Sequence, residues 1–131
     1  MTRPVRLLVA ITVLIAGLTA GAADIPAVEQ VAETSGDRVP LHTVVPKYPE
    51  SARRMRLEGE VEVCFNVDHF GKTSRIAVRK STNRVFEKPA KNAVRDSSYH
   101  PLPDGQKLSG IKTCRTFRFL LTPVAIEAPE N

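Results

Sequence analysis

The sequence contains little of what builds redox or metal sites, with two cysteines and three histidines among 131 residues. The two cysteines do not form a CxxC motif, which excludes the common thiol-oxidoreductase motifs. His42, His69 and His100 lie in three separate predicted loops, at spacings that match no zinc-binding pattern. We therefore expect neither a cofactor nor a bound metal.

Catalytic signatures are also missing from the chain. The sequence contains no GxSxG, HExxH, P-loop or GxGxxG motif. Glu60 and Glu62 resemble a carboxylate pair, but their predicted position on the open face of a sheet gives no desolvation to raise a carboxyl pKa for acid–base work. We therefore expect a protein that is not an enzyme.

Charge is mixed along the chain instead of being concentrated in one region. The formal net charge is +5, and no long block of one sign is present. Nucleic-acid-binding proteins concentrate lysine and arginine on one surface or along one helix. We therefore expect a mixed, solvated surface and no nucleic-acid partner.

The first 23 residues have the features of an export signal. Arg3 and Arg6 precede an apolar run from Leu7 to Leu18, and Ala20-Gly21-Ala22 has the small-x-small pattern of a signal-peptidase site. The uncharged run between Arg6 and Asp24 spans 17 residues, a little short of the roughly 20 that a spanning helix needs. We predict a cleaved signal peptide over residues 1–23, with a short membrane anchor as the alternative.

The remaining chain divides into a linker, one domain and a tail. Residues 24–45 contain Pro26 and Pro40 and show no sustained period, so we predict a linker, with a short helical piece around Val28 to Glu33 as an alternative. Residues 46–123 form the predicted domain, and residues 124–131 form a short tail. Without residues 1–23 the chain has 17 basic and 14 acidic residues, a net charge of +3.

The stretch from Lys47 to Gly71 combines a helix, a stop and a strand. Tyr48-Pro49 can open the helix, because a proline at the first helical position gives up an amide that would lack a partner anyway. Gly59 is predicted to end the helix in the left-handed conformation. The residues that follow alternate as in a half-buried strand, with Val61, Val63, Phe65 and Val67 on one face and Glu60, Glu62, Cys64 and Asn66 on the other.

Two further strands and a second helix are predicted downstream. Asp68 to Gly71 forms a hairpin turn and leads into a strand over Thr73 to Lys80. A helix with one apolar face starts near Phe86, and the last strand runs from Ile111 to Leu121. Because a four-residue turn joins antiparallel strands, we predict an α+β fold: a three-stranded antiparallel sheet with two helices packed on one face.

The two cysteines are predicted to lie on the same face of this sheet. Cys64 alternates with Val63 and Phe65, and Cys114 alternates with Phe117 and Phe119, so both project away from the helices. In an exported protein, two such cysteines on neighbouring strands form a disulfide. We predict a Cys64–Cys114 bond that makes the first and last strands adjacent. Its closed loop of 51 residues corresponds to about 4 kcal/mol of stabilisation.

An ordered set of residues over about Pro46 to Leu121 resembles the C-terminal domain of TonB, the periplasmic energy transducer of Gram-negative bacteria. The residues that match the family pattern include Tyr48-Pro49, Gly59, Gly71 and Tyr99. The resemblance implies a TonB/TolA C-terminal-domain-like fold, in which a receptor peptide adds as a strand beside the last strand. By this analogy the partner-binding residues are Tyr48, Pro49, Arg115, Thr116, Phe117, Arg118, Phe119, Leu120 and Leu121.

The resemblance implies a binding module of the cell envelope. Its partner would be an outer-membrane TonB-dependent receptor or another envelope protein, and its location the periplasm. Leu7 to Ala22 contain no histidine, whereas the family's transducers carry one in the anchor. One alternative is nevertheless a transducer anchored in the inner membrane and facing the periplasm. Another is a structural envelope protein that forms a homodimer through its own edge strand.

Overall fold

The computed structural model describes residues 23–34 and 38–124. Within them, no helix is long and apolar enough to cross a membrane. The predicted signal peptide or anchor therefore lies, apart from Ala23, outside the described residues, and so does most of the predicted tail. The elements in chain order are β1 (Ala23–Thr34), β2 (Pro40–His42), α1 (Glu50–Arg54), β3 (Gly59–Val67), β4 (Thr73–Ser81), a 3₁₀ turn (Arg84–Phe86), α2 (Glu87–Asp96), β5 (Ser98–Tyr99) and β6 (Thr113–Val124).

The sheet topology confirms the predicted α+β class, with a fourth strand added. The main sheet is antiparallel in the order β1-β6-β3-β4, and β2 and β5 form a separate two-stranded ribbon. As predicted, the first and last strands of the predicted domain, β3 and β6, are neighbours. The expected three-stranded sheet is thus extended by one strand beyond β6.

The added strand β1 comes from the segment that the sequence predicts as a linker. The alternative of a helical piece over Val28 to Glu33 was wrong, because these residues pair antiparallel with β6. Ile25, Val28 and Val31 recur every third residue, which resembles a helical period more than the alternation of a strand. Pro26 is tolerated because β1 lies at the edge of the sheet, where one missing donor costs little.

The hydrophobic core lies between the helices and one face of the sheet. Phe65, Phe117 and Phe119 from the sheet are fully buried, and α2 covers this face with its own apolar residues. The Phe86 and Phe119 rings stack at 4.4 Å between centroids. Burying one such side chain contributes about 1.5–3 kcal/mol, so these rings fix the position of β6.

Gly59 has a different role from the predicted one. Helix α1 ends at Arg54, and Arg56 takes the left-handed conformation, with φ of 53°. Gly59 instead begins β3, where an added Cβ would lie 2.5 Å from Thr82 Oγ1 and 2.7 Å from the Phe86 ring. The prediction that Gly59 stops the helix was wrong: glycine is needed there for close packing.

The predicted hairpin turn between β3 and β4 is confirmed. Asp68 Oδ1 accepts hydrogen bonds from the amides of Phe70 and Lys72, at 2.9 and 2.8 Å. Gly71 has φ of +85°, and an added Cβ there would lie 1.8 Å from the Tyr99 carbonyl oxygen. The turn therefore fits closely against the end of the ribbon strand β5.

The last strand is displaced relative to the prediction. Strand β6 covers Thr113–Val124, so it starts after Ile111, which is 63% exposed, and continues through Pro123. Pro123 faces Asp24 of β1 in the register. The second helix agrees better with its prediction, since a 3₁₀ turn over Arg84–Phe86 leads into α2 and places Pro89 in its first turn.

Candidate partner-binding edge

A disulfide joins the two central strands of the sheet. Cys64 and Cys114 are direct cross-strand neighbours, with Cα atoms 4.1 Å apart and an S–S bond of 2.10 Å. Glu62 Oε1 lies 3.8 Å from Cys64 Sγ. Glu62, Cys64 and Cys114 thus lie close together. Because the two sulfurs are bonded to each other, neither is a free thiolate ligand, and these three residues do not form a metal site. The disulfide therefore fixes the register of β3 against β6.

The strand predicted to receive a partner, β6, has no free edge among the described residues. It pairs with β3 on one side and with β1 on the other. The predicted receptor-facing edge, Arg115 to Leu121, is thus covered by β1 in this structure, and its role in partner binding stays a prediction. The reason is that β1, outside the predicted domain, supplies the additional strand that the analogy assigns to a receptor.

The side chains of β6 point alternately into the core and onto the open face. Arg115, Phe117 and Phe119 are buried, whereas Thr116, Arg118 and Leu120 project from the other face and Leu121 is half-buried. Arg118 pairs there with Glu60, at 3.4 Å between Nη2 and Oε2. A partner strand could therefore contact few side chains of β6 directly and would bind mainly to its backbone.

Besides its backbone pairing with β6, strand β1 contacts the domain through side chains at its start, in its middle and near its end. At its start the Asp24 carboxylate pairs with Arg56, and in its middle Val28 packs against the core opposite Phe119. Near its end the Glu33 carboxylate reaches Arg115. The Arg56 side chain is largely exposed, so the first ion pair adds little. The attachment at Glu33 is therefore the distinctive one.

Arg115 forms the centre of a buried polar cluster. Its side chain has no solvent exposure, and its guanidinium donates to Tyr99 Oη at 2.8 Å and to Ser97 Oγ at 3.2 Å. Glu33 Oε1 lies 3.5 Å from Arg115 Nη2 and accepts a hydrogen bond from Tyr99 Oη at 2.8 Å. We call Glu33, Ser97, Tyr99 and Arg115 the Arg115 cluster.

The Arg115 charge is further stabilised by two rings. Its guanidinium carbon lies 5.9 Å from the centroid of the Phe65 ring and 5.7 Å from that of Tyr99. Arg115 Nε has no hydrogen-bond partner among the described residues. Because a buried charge needs a counter-ion, removing Glu33 would leave this guanidinium costly to bury, by about 3–5 kcal/mol for a lost buried partner.

Burial raises the pKa of the Tyr99 phenol well above its ordinary value of 10.0, and the hydrogen bond to Glu33 raises it further. The nearby Arg115 charge acts in the opposite direction. Tyr99 therefore stays a neutral hydroxyl that donates to the carboxylate and accepts from the guanidinium.

A bulge in β1 brings Glu33 to the cluster. Val28 faces Phe119 and Glu33 faces Arg115, although these β1 residues are an odd number of positions apart and would alternate to opposite faces in a regular strand. The register shifts between Gln30 and Ala32, so that one extra residue is accommodated there. Bulges re-aim side chains in this way. Both residues thereby point toward the core.

Sequence reasoning missed the Arg115 cluster, although one signal could have found half of it. Arg115 has the same strand parity as Phe117 and Phe119, which predicts a core-facing arginine instead of a receptor contact. A core-facing arginine requires an acidic partner. Nothing in the alternation of Ala23–Thr34 identifies Glu33 as that partner, because its orientation depends on the bulge.

The other predicted binding residues, Tyr48 and Pro49, lie near the opposite end of β6. The Tyr48 ring packs edge-on against Phe86 and Phe119, at 5.8 and 5.7 Å, and its hydroxyl donates to the Leu57 carbonyl. Both residues line a cleft of about 470 Å³ between the segment before α1 and helix α2. Tyr48 is thus brought to β6 but contacts its core-facing side.

Comparison with known families identifies the domain. Residues 44–121 match the family model described as "Gram-negative bacterial TonB protein C-terminal". The chain belongs to the TonB C-terminal family. The matched segment contains α1, β3, β4, α2 and most of β6. Strand β1, over Ala23–Thr34, precedes the segment that defines the TonB C-terminal domain.

Two similar proteins are themselves described as TonB. The chain is 39% identical over 95 residues to "Protein TonB" of Escherichia coli (strain K12), an alignment that covers 71% of this chain. It spans 37% of the length of that relative. The solution NMR structure of the Pseudomonas aeruginosa TonB C-terminal domain is similar with a TM-score of 0.49 and 26% identity, covering 73% of this chain and 93% of the other.

Proposed function

We propose that the chain is an exported, non-enzymatic TonB-like module that engages an outer-membrane receptor, or another envelope protein, by β-strand addition. The observation that carries the proposal is the pairing of β1 with β6 along eleven register positions, from Ala23↔Val124 to Thr34↔Cys114. The side of β6 away from β3 therefore accepts an added antiparallel strand. Membership of the TonB C-terminal family supports the kind of partner.

The mode of binding follows from backbone chemistry. A strand at a sheet edge presents unpaired amides and carbonyls, which an incoming extended peptide satisfies. In the free chain β1 holds this position on β6, so a partner gains the edge by displacing β1. Strands β1 and β4 are the outer strands of the sheet within the described residues, and their outer edges are the alternatives for a partner or a second copy.

Peptide titration tests this proposal. The exported chain, with its disulfide intact, is titrated calorimetrically with the N-terminal periplasmic segments of TonB-dependent receptors encoded in the same genome. The matched control is each segment with a central residue replaced by proline, which removes a backbone donor and disfavours a paired strand. We expect saturable binding that the proline variant loses. Equal binding of both peptides, or of neither, would contradict strand addition.

The location and anchoring of the module form a separate part of the proposal. We propose that residues 1–23 are removed on export and that the module acts free in the periplasm. Mass spectrometry of the protein purified from the periplasm should give an N-terminus at Ala23 or Asp24. A chain that keeps Met1 in the membrane fraction would instead support the anchored transducer.

Self-association through an edge strand is the remaining alternative. Two open edge strands in one sheet are a recognised route to pairing between copies. Sedimentation at increasing concentration distinguishes the two proposals. A monomer that binds receptor segments supports the module, and a dimer that ignores these segments supports a structural envelope protein.

A further inference from the structure

We propose that the Arg115 guanidinium, which Ser97 positions, and the Tyr99 hydroxyl form a carboxylate-binding site beside β6; Glu33 occupies this site in the free chain, and an acidic residue of a partner strand occupies it in the complex. This inference rests on the proposed function, because it names the side chain that a strand must bring when it replaces β1. It also assigns β1 the role of an internal competitor for the binding edge.

The first argument is the burial of the guanidinium. Arg115 has no solvent exposure, whereas the Glu33 side chain retains 17% exposure at the margin of the domain. The donors of Arg115 and Tyr99 therefore converge on a point that a side chain from the neighbouring strand can reach. An arginine buried in this way needs a carboxylate partner whichever strand lies beside it. A strand without an acid would leave that charge unpaired.

The second argument is that the remaining attachments of β1 are weak. Ile25 and Val31 are 50% and 42% exposed, and Asp24 pairs with an arginine whose side chain is 71% exposed, so solvent screens that pair. Val28 is the β1 side chain that packs against the core cluster. An incoming strand that supplies both a carboxylate and one apolar side chain therefore replaces most of what β1 contributes.

The register defines the sequence that such a strand requires. Arg115 and Phe119 face the core four residues apart, and β1 meets them with Glu33 and Val28 across its bulge. A regular antiparallel strand would place its apolar residue four positions before its acid, and a bulged strand five positions before. The partner is therefore an extended peptide with an apolar residue followed, after three or four residues, by Asp or Glu.

The test uses the peptide of residues 24–34, DIPAVEQVAET, as the probe, because this segment pairs with β6 in the structure. Its matched partner is the same peptide with Glu33→Gln. Both are titrated into the exported chain and into two variants of it. Glu33→Gln in the chain removes the carboxylate charge from the site and weakens the hold of β1 on it, and Glu29→Gln is the control, because Glu29 is exposed on the same strand and loses the same charge.

We expect the Glu33→Gln chain to bind the acidic peptide at least about tenfold more tightly than the unmodified chain does, since a charged hydrogen bond is worth about this much. The same variant should prefer the acidic peptide over its glutamine version by about tenfold or more. The Glu29→Gln chain should behave like the unmodified chain. An Arg115→Met chain, if it folds, should lose the preference for the acid.

Four results would overturn the inference. Equal affinity of the Glu33→Gln chain for both peptides would show that no carboxylate site exists. Equal gains from Glu33→Gln and Glu29→Gln would show a general charge effect. Absence of binding to every variant would show that β1 does not yield its place on β6. Receptor segments that bind equally with and without their acidic residue would contradict only this inference and leave strand addition intact.

Discussion

At the residue scale, Arg115 distinguishes the β1-facing side of β6 from an ordinary sheet edge, because it places a buried positive charge there. Its charge is buried among Phe65, Tyr99 and Ser97, and its carboxylate partner comes from a strand outside the matched family segment. A buried ion pair is weak evidence for stability but is costly to break from one side. In our proposal, an acidic residue is what a strand must bring to replace β1 beside β6.

Tyr99 gives the cluster a measurable dependence on pH. Because burial and Glu33 raise its pKa in the folded protein, the unfolded chain ionises first as pH rises above about 10. The stability contributed by the neutral phenol is thus complete below pH 10 and is lost between the ordinary pKa and the raised one. One pH unit above 10 should cost about 1 kcal/mol.

The measurement is urea unfolding between pH 9 and 11 of the unmodified chain and of a Tyr99→Phe variant. The variant keeps the ring beside Phe65 and lacks the titrating hydroxyl. It should be less stable at pH 7 by about 1–3 kcal/mol, because Arg115 and Glu33 each lose a hydrogen-bond partner, and its stability should fall less steeply above pH 10. Parallel slopes for the two proteins would contradict the account of Tyr99.

At the element scale, the bulge of β1 controls which face Glu33 occupies. Deleting Val31 removes the extra residue, so Val28 should stay opposite Phe119 and Glu33 opposite Arg115 in a regular strand, with both side chains on the core face. Because the charged contact to Arg115 is kept, the deletion should change the free energy of unfolding by less than about 1 kcal/mol, whereas Glu33→Gln should lower it by about 3–5 kcal/mol.

In the deletion variant Glu33→Gln should cost as much as it does in the unmodified chain, since Glu33 faces Arg115 in both. The control is Val31→Ala, which keeps the extra residue and alters a side chain that is 42% exposed; it should change stability by less than about 0.5 kcal/mol. If Glu33→Gln had no effect on urea unfolding of the deletion variant, Glu33 would have turned away from Arg115, and this account of the bulge would be contradicted.

The disulfide also acts between elements, because it bonds β3 directly to β6. It links residues separated by 50 positions, and breaking it should lower the free energy of unfolding by about 4 kcal/mol in the chain-entropy estimate. Urea unfolding of the Cys64→Ser/Cys114→Ser double variant checks this against the oxidised chain. Reductant should have no effect on the variant. An unchanged midpoint would mean that the bond constrains the unfolded chain little.

The elements that could be predicted are those whose sequence pattern matches their burial. The alternation of Val61, Val63 and Phe65 identifies β3, the apolar face around Ala90 and Val94 identifies α2, and parity alone placed the two cysteines together. Such patterns arise because one face of each element is buried.

What could not be predicted depends on tertiary pairing. Strand β1 has little buried surface of its own, and it is a strand because β6 offers it a backbone ladder. Gly59 was misassigned for a related reason, since its close neighbours, Thr82 and Phe86, lie far along the chain. The candidate site combines both effects, because it needs Glu33 from β1 and the bulge that re-aims it.

At the scale of the whole molecule, the chain carries its own substitute for a bound strand. The family segment over residues 44–121 provides β6 and the buried arginine, and the preceding residues provide the strand that covers them. Covering an edge is a common protection against unwanted pairing. Under the proposed strand addition, a partner would compete with β1, and the competition would favour strands that replace Glu33.

Competition for the edge is most directly tested by an NMR titration of the ¹⁵N-labelled exported chain with a receptor N-terminal segment that binds it. The account predicts that amide shifts concentrate in β6 and in β1, with the β1 amides moving toward values of an unpaired chain while β4 stays unchanged. Shifts confined to β4, or to β1 with its pairing to β6 intact, would contradict the claim that the partner takes the place of β1.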